Sequence, residues 1–369
     1  MPSFNFIKKT NISNSFRDKS TFDKYDLNNE SLKQTFSGTI EYPENWNIGL
    51  IVGASGTGKT SILKELYSYY IDDYIYNNNS VLDNMPKNVS LIDIYKTFNS
   101  VGFSSPPSWL KSYNVLSNGE KMRVNLARAI LLNKEIIVFD EFTSVVDRQV
   151  AKIGSFAVQK SIRRLNKKFI AFSCHYDIED WLMPDFLFST DTMKTVYKNR
   201  RLLQRPTIDV KIYSIDKSKS KYYWNMFKKY HYLNRDINVT AKCFLMTCNN
   251  IVTGFTSYVH FPHNRVKTFK RLHRTVIMPD WQGIGLSNVL YITVGDMLLK
   301  NGFRVISTTT NPALCNVRKK SSYWKLTRIG RVGQIGKTSK ISALKSSLSM
   351  NRITTSWEYI GNKSEVKNG

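Results

Sequence analysis

The chain has 369 residues, 41% apolar and 13% aromatic content, and a formal net charge of +26. That length is enough for two domains that each bury a core, and the apolar content excludes global disorder. No apolar run is long enough to cross a bilayer, and the opening "MPSFNFIKKTNISNSF" lacks the apolar stretch of a secretory leader. The expectation is a soluble protein of the cytoplasm, or of a host's cytoplasm if viral, with no membrane partner.

Along the chain, "NIGLIV" (residues 47–52) predicts a buried strand. It feeds the run Gly53-Ala54-Ser55-Gly56-Thr57-Gly58-Lys59-Thr60 and then the helical "SILKELYSYY". Strand, loop and helix in this order are what a phosphate-binding P-loop requires. Backbone N–H groups around Gly53, Ser55, Gly56 and Gly58 converge on phosphates. Lys59 neutralises the β and γ oxygens, and the Thr60 hydroxyl ligates Mg²⁺. ATP with Mg²⁺ is therefore the expected cofactor. A second apolar strand, "EIIVFDE", ends in Asp140 and Glu141. Asp140 fits the carboxylate that orients Mg²⁺, and Glu141 the base that polarises an attacking water.

Before that strand lies "LSNGEKMRVNLARAILL"; after it come "FTSVVDR" and a further strand, "FIAFSCH", ending in His175. With these motifs in this order the first half resembles ABC-type ATPases. The resemblance makes Leu116-Ser117-Asn118-Gly119-Glu120 the family signature, residues 144–147 the D-loop and His175 the switch histidine. It also implies an ATP-bound homodimer, in which Ser117 and Gly119 of one copy close over the P-loop ATP of another. Ser117 sits at the start of an inferred helix, where its hydroxyl and the positive helix end suit a γ-phosphate. No glutamine lies between Ser61 and Leu116, so the Q-loop residue is absent or replaced by Asp83 or Asn84. The interval from Thr60 to Ser117 is also short for a transporter ATPase, which favours a soluble relative. Tyr42 and Trp46 are among the aromatics that could stack on adenine.

A basic, proline-containing stretch, "RRLLQRPTIDVKI", predicts the connection near residue 205. The positive charge is concentrated on the second half of the chain. Residues 201–369 hold 29 Lys/Arg against 7 Asp/Glu, a surplus of 22, whereas residues 1–200 hold 25 against 21, a surplus of 4. Such an excess on one half favours a polyanionic partner, and nucleic acid is the one expected. The runs "CFLMTC" and "IVTGFTSYVHF" predict paired strands turned by Asn249-Asn250, and "HRTVIMP" predicts another. Then "DWQGIGLSNVL" reads as a glycine turn opening a helix with Leu286, Val289, Leu290, Val294, Met297 and Leu298 on one face. Asn301-Gly302 stops the helix, and "RVISTTT" is the next strand. This is a second phosphate cradle. It is not a dinucleotide site, because GxGxxG is not met and no acidic residue closes the following strand. Cys174, Cys243, Cys248 and Cys315 lack CxxC spacing and are expected to be buried free thiols.

Gln282-Gly283-Ile284-Gly285-Leu286-Ser287 resembles the acyl-CoA pyrophosphate loop of GNAT-fold acetyltransferases, with Ser287 where Gly or Ala is usual. The resemblance implies that N–H groups from Gly283 to Ser287 face the pyrophosphate of acetyl-CoA or another acyl-CoA. The end of the preceding strand, at Ile277, would pair with the pantetheine arm. Over roughly residues 40–330 the chain resembles a family in which an ABC-type ATPase is fused to a GNAT acetyltransferase, found in archaea, bacteria and mobile elements. The stretches "PSWLKSYNVLSNGE", "DEFTSVVDRQV" and "SCHYDIEDWL" carry that likeness. The "HYL" segment adds a distant likeness to Mom-type phage enzymes that modify adenine in DNA.

Acyl transfer needs a base, an oxyanion partner and an acid for the leaving thiolate. No glutamate occurs from Tyr222 to Tyr323, so the candidates are His231 and Tyr232 of "KYHYL", His273 before the loop, and Tyr323 as acid. The clusters "KKY", "RVKTFKR" and "RKKSSYWK" interleave cations with aromatics, a mixture suited to phosphate contact and base stacking. The expected architecture is α/β: a P-loop ABC-type ATPase domain over residues 1–205, followed by a GNAT-fold α+β acyltransferase domain with a basic tail over residues 206–369. The expected acceptor is an amine on a nucleic acid base. The alternatives are a second half that binds without acyl chemistry, or N-acetylation of a protein.

Overall fold

The computed structural model describes residues 1–9, 13, 15–25, 33–71, 74–198, 207–231, 236–263, 266–331 and 353–362. In chain order the elements are β1 (Ser3–Lys9), α1 (Phe16–Lys24), β2 (Lys33–Thr39), β3 (Ile48–Val52), α2 (Lys59–Leu66), α3 (Leu91–Ser100), α4 (Pro106–Trp109), α5 (Asn118–Leu131), β4 (Ile136–Phe139), α6 (Arg148–Arg164), β5 (Lys168–Ser173), α7 (Ile178–Leu182), β6 (Phe186–Ser189) and β7 (Lys194–Tyr197). Next come β8 (Val210–Ile215), α8 (Lys217–Lys228), β9 (Lys242–Cys248), β10 (Ile251–His260), β11 (Phe269–Ile277), α9 (Leu286–Lys300), β12 (Arg304–Thr309), α10 (Pro312–Lys319), β13 (Trp324–Arg331) and β14 (Ile353–Tyr359).

Compactness divides the chain into two units, residues 1–76 with 125–206 and residues 77–124 with 207–369. The connection expected near residue 205 lies outside the described residues. The units depart from the expected halves in that residues 77–124, expected within the ATPase, pack with the second half. The cause is a set of polar and backbone contacts. Ser105 Oγ donates to the Tyr230 carbonyl (3.0 Å), and Arg123 donates to the Asp280 carbonyl (3.0 Å). Neither contact is visible in local sequence.

In the first unit, five strands form a sheet in the order β4-β5-β3-β6-β7. Strands β4, β5, β3 and β6 run parallel, and β7 closes the edge antiparallel. Every residue of β3 is buried, as expected of an interior parallel strand covered on both faces. The antiparallel β1–β2 pair adds Phe4 and Phe36 to a core with Ile51, Ile62, Ile170 and Phe188. Parallel strands share a carboxyl edge, so the loops after β3, β4, β5 and β6 collect there.

The second unit holds a seven-stranded sheet in the order β13-β14-β12-β11-β10-β9-β8. All its pairs are antiparallel except β11 with β12. Asn249 and Asn250 turn the β9–β10 hairpin with φ of 49° and 63°, the left-handed pair that a two-residue hairpin turn needs. Alternate residues of β9 go to opposite faces: Phe244 joins the core beneath α9, whereas Cys243 and Leu245 join the core beneath α8. The helix α9 links the parallel pair, which is bonded only from Phe269–Arg304 to Leu272–Ser307, so the carboxyl ends of β11 and β12 are not joined to each other. Along α9 the buried residues are Leu286, Leu290, Tyr291, Val294, Gly295 and Leu298. Val289, expected on that face, is 39% exposed, and Tyr291 fills the stripe instead.

Among the described residues no helix is long and apolar enough to cross a membrane. All four cysteines are free; Cys243 and Cys248 are buried, whereas Cys174 and Cys315 are only partly so.

Candidate functional site

The carboxyl edge of the first sheet gathers the first set of candidates. After β3 the loop turns through Gly56 and Gly58, with φ of 87° and 84°, and Gly58 is the residue that starts α2. Lys59 is buried, and its Nζ donates to the carbonyls of Gly53 (2.9 Å) and Ala54 (2.6 Å), which holds the ammonium against the loop. Ser55 is exposed, and Thr60 lies partly buried in the first helical turn. After β4, Asp140 is buried and Glu141 is exposed. The Glu141 backbone is left-handed, at φ 48°, and its N–H donates to Asp140 Oδ1 (3.0 Å). A non-glycine residue held in that state turns its carboxylate out to solvent at some backbone cost. After β5, the N–H of His175 donates to the buried Ser173 Oγ (3.1 Å).

This donor set fits a nucleotide triphosphate with a divalent cation. It offers converging N–H groups, a buried ammonium, a first-turn hydroxyl, and a carboxylate as a hard oxygen ligand. Sequence reasoning missed Asp191, which follows β6. It accepts from the Tyr176 hydroxyl and from the Ala54 N–H (3.1 Å), and these bonds, with the nearby Lys59 charge, hold it below the usual carboxylate range. Asp191 thus ties the residue after His175 to the P-loop, through partners that no sequence spacing signals. Trp46 and Tyr42 are core residues: Trp46 is buried, and Tyr42 packs against Phe186 and bonds its hydroxyl to that of Tyr67.

Residues 116–120 open α5 with a reciprocal cap. Ser117 Oγ accepts from the Glu120 N–H (3.3 Å), while Glu120 Oε2 accepts from the Ser117 N–H (3.1 Å). Glu120 Oε1 also accepts from Ser108 Oγ (2.8 Å), so this buried carboxylate is structural. Ser117 itself is exposed, and the capping bond uses its oxygen rather than its hydroxyl hydrogen. Asn84 is buried and organises its own loop through Asn77, Asn79 and Ser80, whereas Asp83 is exposed.

In the second unit, Gly283 and Gly285 have φ of 91° and 99°, and Gly285 starts α9 without a side-chain cap. The first N–H groups of α9, around Leu286 and Ser287, therefore point out of a helix end that has no acidic residue in its first turn. Leu286 is buried in the core and offers only its backbone; Ile284 and Ser287 are partly exposed. The Gln282 side chain is occupied at both ends: its Oε1 accepts from the Ser104 N–H (2.8 Å), and its Nε2 donates to the Ile277 carbonyl (2.8 Å). Gln282 thereby braces the loop against the end of β11 and against Ser104.

A β-bulge shapes the strand before this loop. Thr256 pairs with Thr275 but Tyr258 with Leu272, which leaves one extra residue on β11 at His273 and Arg274. The bulge reverses the side-chain alternation, so Leu272 joins the core beneath α9 and Val276 the core beneath α8. Arg274 lies 5.9 Å from the Trp224 ring centroid, and the His231 ring meets the same tryptophan edge-on at 5.7 Å. Burial, then the charges of Arg274, Arg271 and His231, push the His273 imidazole down to about 3. Its Nδ1 is buried without a hydrogen-bond partner. The structure thus brings His231 and His273 together and adds two arginines that sequence reasoning did not name. It does not bring Tyr323 to them: that ring stacks on Tyr359, 6.2 Å away, in the core beneath α9. Tyr232 lies outside the described residues.

No protein-family model matches the chain. A stretch of 96 residues, 26% of the chain, is 35% identical to the energy-coupling factor transporter ATP-binding protein EcfA of Aster yellows witches'-broom phytoplasma. The match spans 31% of that relative's length. Among solved structures, the dimeric bacterial ABC transporter cassette MJ0796 aligns with a TM-score of 0.34 at 14% identity, covering 42% of this chain and 87% of that one. An acetyltransferase of the GNAT family from Streptococcus pneumoniae aligns with a TM-score of 0.31 at 12% identity, covering 42% of this chain and 100% of that one. The chain is similar in part to an ABC ATPase and in part to a GNAT acetyltransferase.

The low value of His273 has a thermodynamic consequence. An unfolded histidine titrates near 6.5, so below that pH the unfolded chain binds the proton first and stability falls as pH drops from about 6.5 toward 3. His273→Phe removes this contribution. Thermal midpoints at pH 7 and pH 4.5 should fall less for the variant than for the wild type, and equal falls would show that His273 is not buried in its neutral form.

Proposed function

We propose that the chain is an ATP-dependent acyltransferase: an ABC-type ATPase joined to a GNAT-like domain that passes an acyl group from acyl-CoA to an amine on a nucleic acid base. One observation carries this reading. Two strands each run through left-handed glycines into a helix with a hydroxyl in its first turn, Thr60 or Ser287, and only the first such cradle adds a buried ammonium, Lys59, and the strand-end carboxylates Asp140 and Glu141. In the first cradle Lys59 meets the β and γ oxygens, and Thr60 and Asp140 hold Mg²⁺. Glu141 polarises water and His175 senses the γ-phosphate, while Ser117 and Gly119 come from a second copy in an ATP-bound homodimer. The second cradle can hold a pyrophosphate but has nothing with which to split one.

Acyl-CoA supplies a thioester, and the backbone from Gly283 to Ser287 anchors its pyrophosphate. The acceptor nitrogen would attack the thioester carbonyl carbon, the C–S bond would break with CoA leaving as its thiolate, and the nitrogen would give up one proton, so that an amide and CoA result. A histidine pushed down to about 3 cannot remove a proton from a lysine ammonium, whose ordinary value is near 10.4. An exocyclic base amine is already neutral, and its N–H becomes acidic only as it attacks, so the residue assigned to receive that proton is the neutral His273, whose buried Nδ1 has no hydrogen-bond partner. Arg271, Arg274 and His231 are the charges that act on His273, and no carboxylate is among them, which suits a phosphate-bearing acceptor. The surplus of 22 positive charges over residues 201–369 supports the same substrate class. A DNA-modifying role of the phage or mobile-element kind accords with these features. A second reading, ATP-dependent nucleic acid binding without transfer, is favoured by the placement of Tyr323 away from the histidines.

Three measurements test this. Glu141→Gln should accumulate as a dimer at saturating ATP on size exclusion, and a monomer there would remove the composite site. Ser287→Asp places a carboxylate in the first turn of α9, where it suits the helix dipole but repels a pyrophosphate. Acetyl-CoA binding by calorimetry should weaken at least about tenfold, with the melting temperature held or raised. Mass spectrometry of nucleosides and proteins from cells expressing the chain or its Lys59→Ala form should reveal an acylated nucleoside only with the former. An acylated protein with unaltered nucleosides would identify a protein N-acetyltransferase instead.

A further inference from the structure

We propose that the segment bearing residues 116–120 is the scaffold of the acyl-CoA loop, with Gly102, Ser104 and Arg123 as positioning residues. Cofactor affinity in the second unit then answers to what Ser117 binds. This rests on the reading of residues 282–287 as the cofactor loop. All the contacts concerned lie within the unit of residues 77–124 and 207–369. Gly102, at φ 83°, lays its backbone directly on the loop, where an added Cβ would stand 2.8 Å from the Gln282 carbonyl oxygen and 3.0 Å from Gly283 Cα. The Ser104 N–H holds Gln282 Oε1, and Gln282 Nε2 holds the last carbonyl of β11, so a single amide bridges the segment, the loop and the strand.

Arg123 makes the second tie. It is 1% exposed, and its guanidinium donates to the Gly119 carbonyl (3.2 Å) and the Asp280 carbonyl (3.0 Å), with the Asp280 carboxylate 4.0 Å away. One rigid fork therefore grips the first turn of α5, where Ser117 caps the helix, and the peptide group just before the Gly283 turn. Any shift of that turn toward a phosphate carries Arg123 with it and re-aims the N–H groups of the loop. Hydrogen-bond donors lose strength steeply once misaligned, so a small displacement changes anion affinity. The coupling is reciprocal by linkage: acyl-CoA must change nucleotide affinity by the factor that nucleotide changes acyl-CoA affinity.

The full chain is titrated with acetyl-CoA by calorimetry, with and without Mg²⁺ and a non-hydrolysable ATP analogue. Amide hydrogen exchange over residues 279–286 is followed in the same two states. The expected result is at least a fivefold difference in acetyl-CoA Kd, within the usual range of allosteric coupling, with altered exchange in that segment. Arg123→Met should abolish the difference while still binding the analogue, and Arg123→Lys, which keeps one donor and the charge, should restore part of it. Equal acetyl-CoA Kd values with unchanged exchange in the wild type would overturn the coupling. Absence of acetyl-CoA binding in every state would instead overturn the cofactor reading, and the exchange arm would then decide the coupling alone. If Arg123→Met fails to give a cooperative melt, the wild-type exchange data decide in the same way.

Discussion

Gly58 and Gly285 occupy the same backbone state, with φ of 84° and 99°, each immediately before a helix that follows a strand. A left-handed residue at the helix start suits an anion site, because it lets successive backbone N–H groups turn inward on one point. The remainder of each unit serves to hold that turn. In the first unit the strand before it is buried along its whole length, and its flanking strands run parallel, so Asp140, Glu141 and His175 arrive at the same edge. In the second unit the turn follows the strand whose parallel partner bonds only its first half, leaving the carboxyl ends unjoined above the loop. The two cradles are alike in backbone and differ in side chains, and that difference separates managing a transferable phosphate from merely holding one.

The polar chemistry of residues 77–124 explains why they pack with the second half. A guanidinium as buried as that of Arg123 must find acceptors, and it finds them in the carbonyls of Gly119 and Asp280. Burial depresses its proton affinity, and the charges of Asp280 and Glu120 offset that only in part. Glu120 is itself fixed by the helix cap and by Ser108, while Arg123 ties the same first turn of α5 to residue 280, just before the Gly283 turn. Losing one partner of such ties leaves another buried group unsatisfied. They also place the most ATPase-like motif of the segment beside the most acyltransferase-like loop of the chain.

The bulge at His273 and Arg274 plays a comparable part in the strand before the Gly283 turn. It sets Arg274 near the Trp224 ring, and burial, then the charges of Arg274, Arg271 and His231, keep the His273 imidazole neutral. A weak base with an unpartnered nitrogen is poorly matched to an ammonium and well matched to an amine that is neutral before it reacts. Arg318 offers a parallel in the core beneath α9, where it is buried against Trp324 and donates to Ser307 Oγ. Arg318 and Arg274 are thus set against aromatic rings, whereas Arg123 in the same unit is held by carbonyls with a carboxylate nearby.

How far the sequence can be read depends on the range of the interactions involved. The P-loop, the Asp140–Glu141 strand end, the Asn249–Asn250 hairpin and the glycine turn before α9 are legible because each is made by residues within a few positions of one another. There, backbone preference and side-chain type act locally. The tie from Ser104 to Gln282 spans 178 positions and that from Arg123 to Asp280 spans 157, and no periodicity encodes either. Local sequence therefore places residues 77–124 with the first half, although they pack with the second, and it makes Gln282 a ligand residue when its side chain is a brace. Tyr42 and Trp46 resemble adenine platforms in sequence, but packing puts them in the core. Val289 gives way to Tyr291 because the helix turns its stripe toward the aromatics of β13 and β14. The sequence by itself marks two glycine turns that each open a helix after a strand, because those signals are local. Only the tertiary structure decided which distant side chains converge on them, because burial and charge compensation are satisfied between segments that the chain keeps far apart.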